Sequence, residues 1–300
     1  MILCVCLNPA VDVTYHVRFT GVGASHVVPR VSSRAGGKAT NVARLLHQLG
    51  VPVRLLVPVG GPATKLFETE LAATGLPLTA VPISGVTRST LSLADGTIFN
   101  ELGPELTSSE WHAVRNAFSL ALAGCAVVVF AGSIPPGATR YAPLIELARA
   151  AGVRTVVDTS GAALLDALAA GPDVVAPNLA EARAALGDQT LDPQSAGVGL
   201  RARGAMAAVV SAAARGLVAS TPDGSWRAEP PHRVAGNPTG AGDAVTAAIA
   251  TGMLASAPWP EVIGEAVALA AAAVATDSAG EFASPVRDEV RRLVSVERLV

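Results

Sequence analysis

Aromatic residues are scarce in this 300-residue chain: six Phe, three Trp and two Tyr, 4% in all. A site built to handle a nucleoside needs more stacking surface than that. Lysine is scarcer still. Only Lys38 and Lys65 occur among 22 basic residues, which makes the placement of Lys38 informative. The net charge is −2 and like charges nowhere cluster, so neither a nucleic-acid partner nor a charged interaction tail is expected. Cys4, Cys6 and Cys125 are the three cysteines, and none has zinc-ligand spacing with His. Cys4 and Cys6 are two apart in "ILCVCL", so on a strand they face one side and cannot pair. Buried, reduced thiols in a cytoplasmic protein are the expectation. No secretory signal pattern is present. The apolar segment "AVALAAAAVA" (266–275) is flanked by Glu265 and Asp277. It falls short of the roughly 20 residues of a membrane span and predicts a core helix instead, with no membrane partner.

Half of the residues are hydrophobic, enough for a large core. Short β-branched runs alternate with helical patterns. Strands are predicted at 2–7, 53–59, 125–132, 153–160, 173–178 and 207–212. Helices are predicted at 38–50, 63–75, 140–152, 161–171, 180–187, 193–203, about 241–254 and about 260–276. A hairpin is expected around Asp223-Gly224. Continuous apolar strands separated by helices predict a mainly parallel sheet covered on both faces. Ligands then bind beyond the carboxyl ends of the strands. Residues 11–33 and 86–100 break the rhythm. The second segment reads as two strands joined at Asp95-Gly96. These two segments are expected to pair as a small β lid, leaving 1–10, 34–85 and 101–300 as the main α/β domain.

Five stretches carry polar residues suited to chemistry. "AGGKATN" (35–41) opens a helix: its glycines permit close ligand approach, and Lys38 and Asn41 suit a phosphate or polyol. A plain loop turn with a surface lysine is the alternative. Asp12 follows the first strand and either accepts from sugar hydroxyls or is a solvated loop acid. Arg88, at the start of the lid, either forks onto a phosphate or lies on an edge strand. In "PNLAE" (177–181), Asn178 and Glu181 share a face and either organise water around Mg²⁺ or form a helix capping box. "GNPTGAGDAV" (236–245) opens an apolar helix. Free N–H groups of Gly240, Ala241 and Gly242 would make an anion hole, with Asp243 as proton acceptor. The alternative is an acid that stabilises the helix dipole by about 0.3–1 kcal/mol.

In combination these motifs resemble the ribokinase-like carbohydrate kinases of the phosphofructokinase-B family, over nearly the whole chain. Gly36, Gly37, Ala39, Asn41, Ala43, Gly50 and Gly60 match one family signature and "NPTGAGDA" the other. "LNPAVD", "AGGKATNVAR", "GPEL", "GSIPPG", "VDTSG" and "PNLAE" are similar to the 1-phosphofructokinase and tagatose-6-phosphate kinase branch. The resemblance implies a three-layer αβα sandwich with a small β lid, and an ATP- and Mg²⁺-dependent sugar-phosphate kinase. It makes Asp243 the catalytic base and Gly240, Ala241 and Gly242 the anion hole. Asp12, Gly37, Lys38, Asn41 and Arg88 would bind the sugar phosphate, and Ser211 and Gly216 would lie near the nucleotide with Gly240 and Gly242. Asn178 and Glu181 would serve Mg²⁺ through water, and the lid would pair two subunits in a homodimer. The chain departs from the pattern at Ala213 and Ala39, where glycine is usual. Fructose 1-phosphate is the first expected substrate, then tagatose 6-phosphate and fructose 6-phosphate. A non-catalytic sensor on the same fold is the different-class alternative. A dehydrogenase lacks support, because the first strand is not followed by G-x-G-x-x-G.

Overall fold

The computed structural model describes residues 1–17, 23, 25–93, 96–137 and 140–299. In chain order they form β1 (Ile2–Val5), β2 (Ala10–Tyr15), β3 (Val31–Gly36), α1 (Lys38–Gln48), β4 (Val53–Val59), α2 (Ala63–Thr74), β5 (Leu78–Pro82), β6 (Arg88–Leu93), β7 (Ile98–Asn100) and α3 (Ser108–Ala121). There follow β8 (Val127–Ala131), α4 (Ala142–Ala150), β9 (Arg154–Asp158), α5 (Gly161–Ala169), β10 (Val174–Val175), α6 (Leu179–Leu186), α7 (Pro193–Ala202) and β11 (Ala207–Ser211). After a 3₁₀ turn, Ala213–Arg215, come β12 (Leu217–Thr221), β13 (Gly224–Ala228), α8 (Ala241–Ala255), α9 (Trp259–Val274), α10 (Ser284–Leu293) and β14 (Val296–Leu299).

The main sheet has the order β14-β13-β12-β11-β10-β9-β8-β1-β4-β5. Pairing is parallel from β5 to β11 and antiparallel from β11 to β14. Strand alternation explains the layers. In β1 and the residues after it, Ile2, Cys4 and Cys6 face one core with α1, α2, α8, α9 and α10. Leu3, Val5 and Leu7 face the other, beneath α3 to α7. The thiols of Cys4, Cys6 and Cys125 are free, as their spacing predicts. The alanine-rich run lies inside α9, where small side chains let the helix pack closely on α8. No helix among the described residues is long and apolar enough to cross a membrane.

A second sheet has the order β3-β2-β6-β7. The two segments that break the βα rhythm pair with each other, β2 running parallel to β6. Asp95 of the predicted turn lies outside the described residues. The sheet is larger than its sequence bounds, because β2 starts at Ala10 and β3 runs on through Ala35 and Gly36. Gly36 is needed there: a Cβ at this position would overlap the Asp12 carboxylate.

Five more elements differ from the sequence pattern. The strand predicted at 173–178 shrinks to Val174–Val175. Asp173 turns its carboxylate onto the N–H and hydroxyl of Thr155, at 2.8 and 2.9 Å, and Pro177 lacks an N–H for the ladder. The sequence pattern assigns no element to α3, although Thr107 and Glu110 close a reciprocal capping box at its start. Nor does it assign β5, α10 or β14. Val290 is the one fully buried side chain of α10, so its sequence carries little apolar signal.

The turn between β11 and β12 holds an unusual backbone. Ala213 sits at φ 51°, the left-handed region, and Gly216 at φ 76° with its α-carbon facing the carbonyl of Ala228. Ala213→Gly is expected to stabilise the chain by about 0.5–1 kcal/mol, the left-handed penalty of about 1–2 less the added unfolded-chain entropy of about 0.4–1. Gly216→Ala is expected to lose more than about 1 kcal/mol, since its Cβ would overlap Ala228 O. Urea unfolding midpoints of the two variants, moving in opposite directions, check this.

Candidate active site

Asp158 ends the parallel strand β9 at the carboxyl edge of the sheet, where ligands of such sheets bind. The first turns of α1, which follows β3 of the small sheet, and of α8, which comes after the antiparallel strand β13, meet it there. Both helices start on a glycine of positive φ, Gly37 at 105° and Gly240 at 91°, and neither has a side-chain cap. Thr107, Asn178 and Asp192, by contrast, cap α3, α6 and α7. Gly37 also rests on Cys6, whose sulfur would lie 2.7 Å from any added Cβ. At α8 this leaves the N–H groups of Gly240 and Gly242 without an acceptor among the described residues, while at α1 the Gly37 N–H already meets the Asp12 carboxylate and the Ala39 and Thr40 N–H groups the Cys6 sulfur.

Between the two helix starts lies a buried charge cluster. Asn41 Nδ2 donates to Asp243 Oδ2 at 2.9 Å, tying α1 to α8. Lys38 Nζ donates to Asp158 Oδ1 at 2.9 Å, and Thr246 Oγ1 to Asp158 Oδ2 at 3.0 Å. Asp158 is 2% exposed and Asp243 6%, while the Lys38 side chain as a whole keeps 40%. Burial pushes the Asp243 carboxyl up to about 7; the Lys38 charge opposes that and the Asp158 charge adds to it. Asp158 in turn holds the Lys38 ammonium well above its ordinary value, against burial. Asn41 Oδ1 and Thr40 Oγ1 are buried with no hydrogen-bond partner among the described residues. A buried acceptor without a donor is costly unless a ligand supplies one.

The other predicted residues arrange themselves around this cluster. Asp12 lies against Gly36 on β2, half-buried. Burial raises its carboxyl, and the charges of Arg34, Arg88 and Arg44 hold it down. Arg88, on β6, donates through Nε to Asn8 O and through Nη1 to Thr90 Oγ1 and Glu101 O, at 3.2–3.3 Å. Asn178 and Glu181 form the capping box in full: each backbone N–H meets the other's side-chain oxygen at 3.0 Å. The Glu181 carboxylate also acts on the Lys38 charge. Ser211 bridges to Asn178 at the end of β11, and Gly216 closes the following turn. Among the described residues no hydrogen bond joins Ser211 or Gly216 to the Asp243 cluster. One expectation needs correction: Ala241 N–H is not free, because it donates to Pro238 O at 3.2 Å in the turn that positions Gly240. Gly240 and Gly242 N–H find no acceptor among the described residues, and the α-carbon of Gly242 faces open space.

Asp158 and Thr246 were not among the residues singled out from the sequence. A signal for Asp158 exists: it is an acid ending the apolar run "VRTVVD" on the ligand rim. Thr246 lies one helical turn after Gly242 in an apolar stretch and carries no signal of its own.

Comparisons with known proteins identify the family. The pfkB family carbohydrate kinase model matches residues 4–286. The chain belongs to the pfkB family of carbohydrate kinases. It is 37% identical over 258 residues to the 1-phosphofructokinase of Rhodobacter capsulatus, covering 82% of this chain and 81% of that one. It is 33% identical over 264 residues to the 1-phosphofructokinase of Xanthomonas campestris pv. campestris, covering 83% of each. Among solved structures, the phosphofructokinase-2 of Escherichia coli in complex with potassium aligns with a TM-score of 0.90 at 24% identity, over 97% of this chain and 98% of that one. A possible 1-phosphofructokinase of Thermotoga maritima aligns at 0.87 and 25% identity, over 100% and 99%. This pfkB kinase is therefore a sugar kinase of mixed α/β architecture, with ATP as the phosphate donor of its family.

The Asp243 proton has a consequence for stability. The folded chain holds it up to about pH 7, whereas the unfolded chain releases it near the ordinary carboxyl value of 3.8. Between those values the folded state binds more protons, so stability falls as pH rises from about 4 to 7. Asp243→Asn escapes this loss. It is expected to melt about 2 °C or more above the parent at pH 8, with the gap closing as pH falls through 7 toward 4. Thermal melts at pH 8, 6 and 4.5 check it; a gap independent of pH would remove Asp243 as its source.

Proposed function

We propose that this pfkB kinase transfers the γ-phosphate of ATP to the free primary hydroxyl of fructose 1-phosphate, giving fructose 1,6-bisphosphate. The observation that carries the reading is Asp243: a buried carboxyl with a value of about 7, at the open first turn of α8. A group with that value is half ionised at neutral pH and suited to take a proton from an alcohol. In this reading Asp243 accepts the hydroxyl proton while Gly240 and Gly242 N–H, with the α8 dipole, stabilise the moving phosphoryl charge. Ala241 N–H joins them only if it leaves Pro238 O. Asp12 and the orphan Asn41 Oδ1 accept from sugar hydroxyls, beside the backbone of Gly37. Lys38 and Arg88 take the phosphate already on the sugar; two cations would be poorly matched by a neutral sugar. Ser211 and Gly216 line the nucleotide side.

Mg²⁺ fits this donor set only at a distance. Among the described residues no group of three His, Cys, Asp or Glu side chains could hold a metal, and Asp158 is already bonded through both oxygens. Asn178 and Glu181 would therefore hold the ion through water, where it would offset phosphate charge. The small sheet is read as a lid that excludes water. A cytoplasmic location accords with the free thiols.

The names of the two relatives favour fructose 1-phosphate over tagatose 6-phosphate and fructose 6-phosphate. The sensor reading rests on Ala213 alone, and the intact Gly240–Asp243 turn opposes it. ADP release with Mg-ATP and each of the three sugar phosphates decides between them, with the highest kcat/KM expected for fructose 1-phosphate. Binding without turnover would favour the sensor. Asp243→Asn is expected to lower kcat by at least about 10²-fold with a small change in KM. Parent activity should rise with pH through about 7, the value that burial gives Asp243.

The lid is also the proposed dimer surface. Val31, Val86, Ile98, Phe99 and Leu102 are 44–79% exposed on or beside the small sheet, an apolar patch that a second copy would cover. Sedimentation velocity is expected to show a dimer, and Phe99→Asp to shift it to monomer.

A further inference from the structure

Arg34 links the small sheet to the loop that packs on both helix starts of the site. It stands on β3 directly opposite Asp12 on β2, and its charge is the largest of those opposing the rise of the Asp12 carboxyl. Its Nη2 donates to the carbonyl of Ala279, and its Nη1 lies 3.7 Å from Glu281 Oε1. Ala279 and Glu281 belong to the loop between α9 and α10. That loop is wedged against both helix starts of the site. A Cβ on Gly240 would lie 3.0 Å from Ala279 Cα, and a Cβ on Gly280 would lie 3.1 Å from Asn41 Cα. Asn41 is the residue bonded to Asp243. Bare glycine backbone at Gly240 and Gly280 is what lets the loop sit so close.

We propose that Arg34 is a positioning residue that couples occupancy of the sugar-phosphate side to affinity for the nucleotide. The proposal rests on the assignment of Asp12 and Gly37 to the sugar and of the α8 start to the transferred phosphate. A ligand held by Asp12 and Gly37 orders β2 and β3. Through Arg34 that order passes to Ala279, and the loop then fixes the Gly240 turn whose N–H groups face the nucleotide phosphates. The second ligand meets a turn already ordered and loses less entropy on binding. Thermodynamic linkage makes the effect mutual. The Glu281 contact is long and Glu281 is exposed, so the Ala279 carbonyl is the link that matters.

Calorimetric titration of a non-hydrolysable ATP analogue with Mg²⁺, with and without saturating fructose 1-phosphate, tests this. The parent is expected to bind the analogue at least about 5-fold more tightly with the sugar phosphate present, within the usual range of coupling. Arg34→Ala should bring that ratio to within about 2-fold of unity and raise KM for ATP more than it lowers kcat. Arg34→Lys, which keeps a donor for Ala279 O, should recover part of the ratio, and Glu281→Gln should keep it whole. An unchanged ratio in a folded Arg34→Ala, with only a lower melting temperature, would make Arg34 merely structural. A parent ratio of one would also overturn the proposal, as would an Arg34→Ala effect confined to KM for the sugar. If fructose 1-phosphate fails to bind the parent, the substrate assignment alone falls and the ratio is read with tagatose 6-phosphate or fructose 6-phosphate. Failure of all three to bind overturns both.

Discussion

Lys38 is bonded to one buried carboxylate, Asp158, and acts by its charge on a second, Asp243. The rest of the site follows from that shortage of positive charge. Burial and Asp158 both favour protonated Asp243, and Lys38 pulls the other way, leaving the carboxyl near neutrality. A second cation here would favour the ionised form of Asp243 further, and the loss of Lys38 would favour the protonated form. Thr246 donates to Asp158's second oxygen, so both oxygens of that carboxylate are bonded, one to Lys38 and one to α8. One lysine among two carboxylates is thus a means of setting a proton affinity, and the chain's near exclusion of lysine elsewhere fits a residue kept for a particular place.

This arrangement depends on the parallel sheet. Asp158 ends β9, Lys38 starts α1 and Asp243 lies in the first turn of α8. The three are far apart in sequence: β9 delivers Asp158 to the carboxyl edge of the parallel sheet, while α1, entering from the small sheet, and α8, entering after β13, bring Lys38 and Asp243 to it. The antiparallel strands β12 to β14 widen the sheet at the other side without disturbing that edge. Glycine does the local work: Gly37 and Gly240 turn the chain through positive φ where a side-chain cap would have consumed the N–H groups.

The alternating periods in the sequence were enough to place most of the parallel core, most of its covering helices and the pairing of the two irregular segments. They were enough because a strand buried on both faces and a helix buried on one leave strong apolar signals. Of the elements that escaped, α3 buries Val114 and Phe118 in full, whereas α10 and β14 bury little. The small helix α10 has one fully buried side chain, and β14 is a partly exposed edge strand. At the site, the glycine–lysine turn and the glycine–aspartate turn are legible because glycine has few other reasons to occur in such clusters. Asp158 is harder to see, since an acid at the end of a strand is common. The bond between Ala241 and Pro238 is invisible in sequence, because it depends on the geometry of a single turn.

The site also concentrates what a stable fold would avoid. Asp243 is an acid forced toward its neutral form, and Asn41 Oδ1 and Thr40 Oγ1 are buried without donors. Ala213 holds a left-handed backbone at the turn expected to face the nucleotide. Each of these opposes folding by an amount comparable to a modest mutation. Two continuous cores, one on each face of the ten-stranded sheet, absorb that opposition. The separation is physical: the apolar layers lie along the bodies of the strands, and the unsatisfied groups gather beyond their ends.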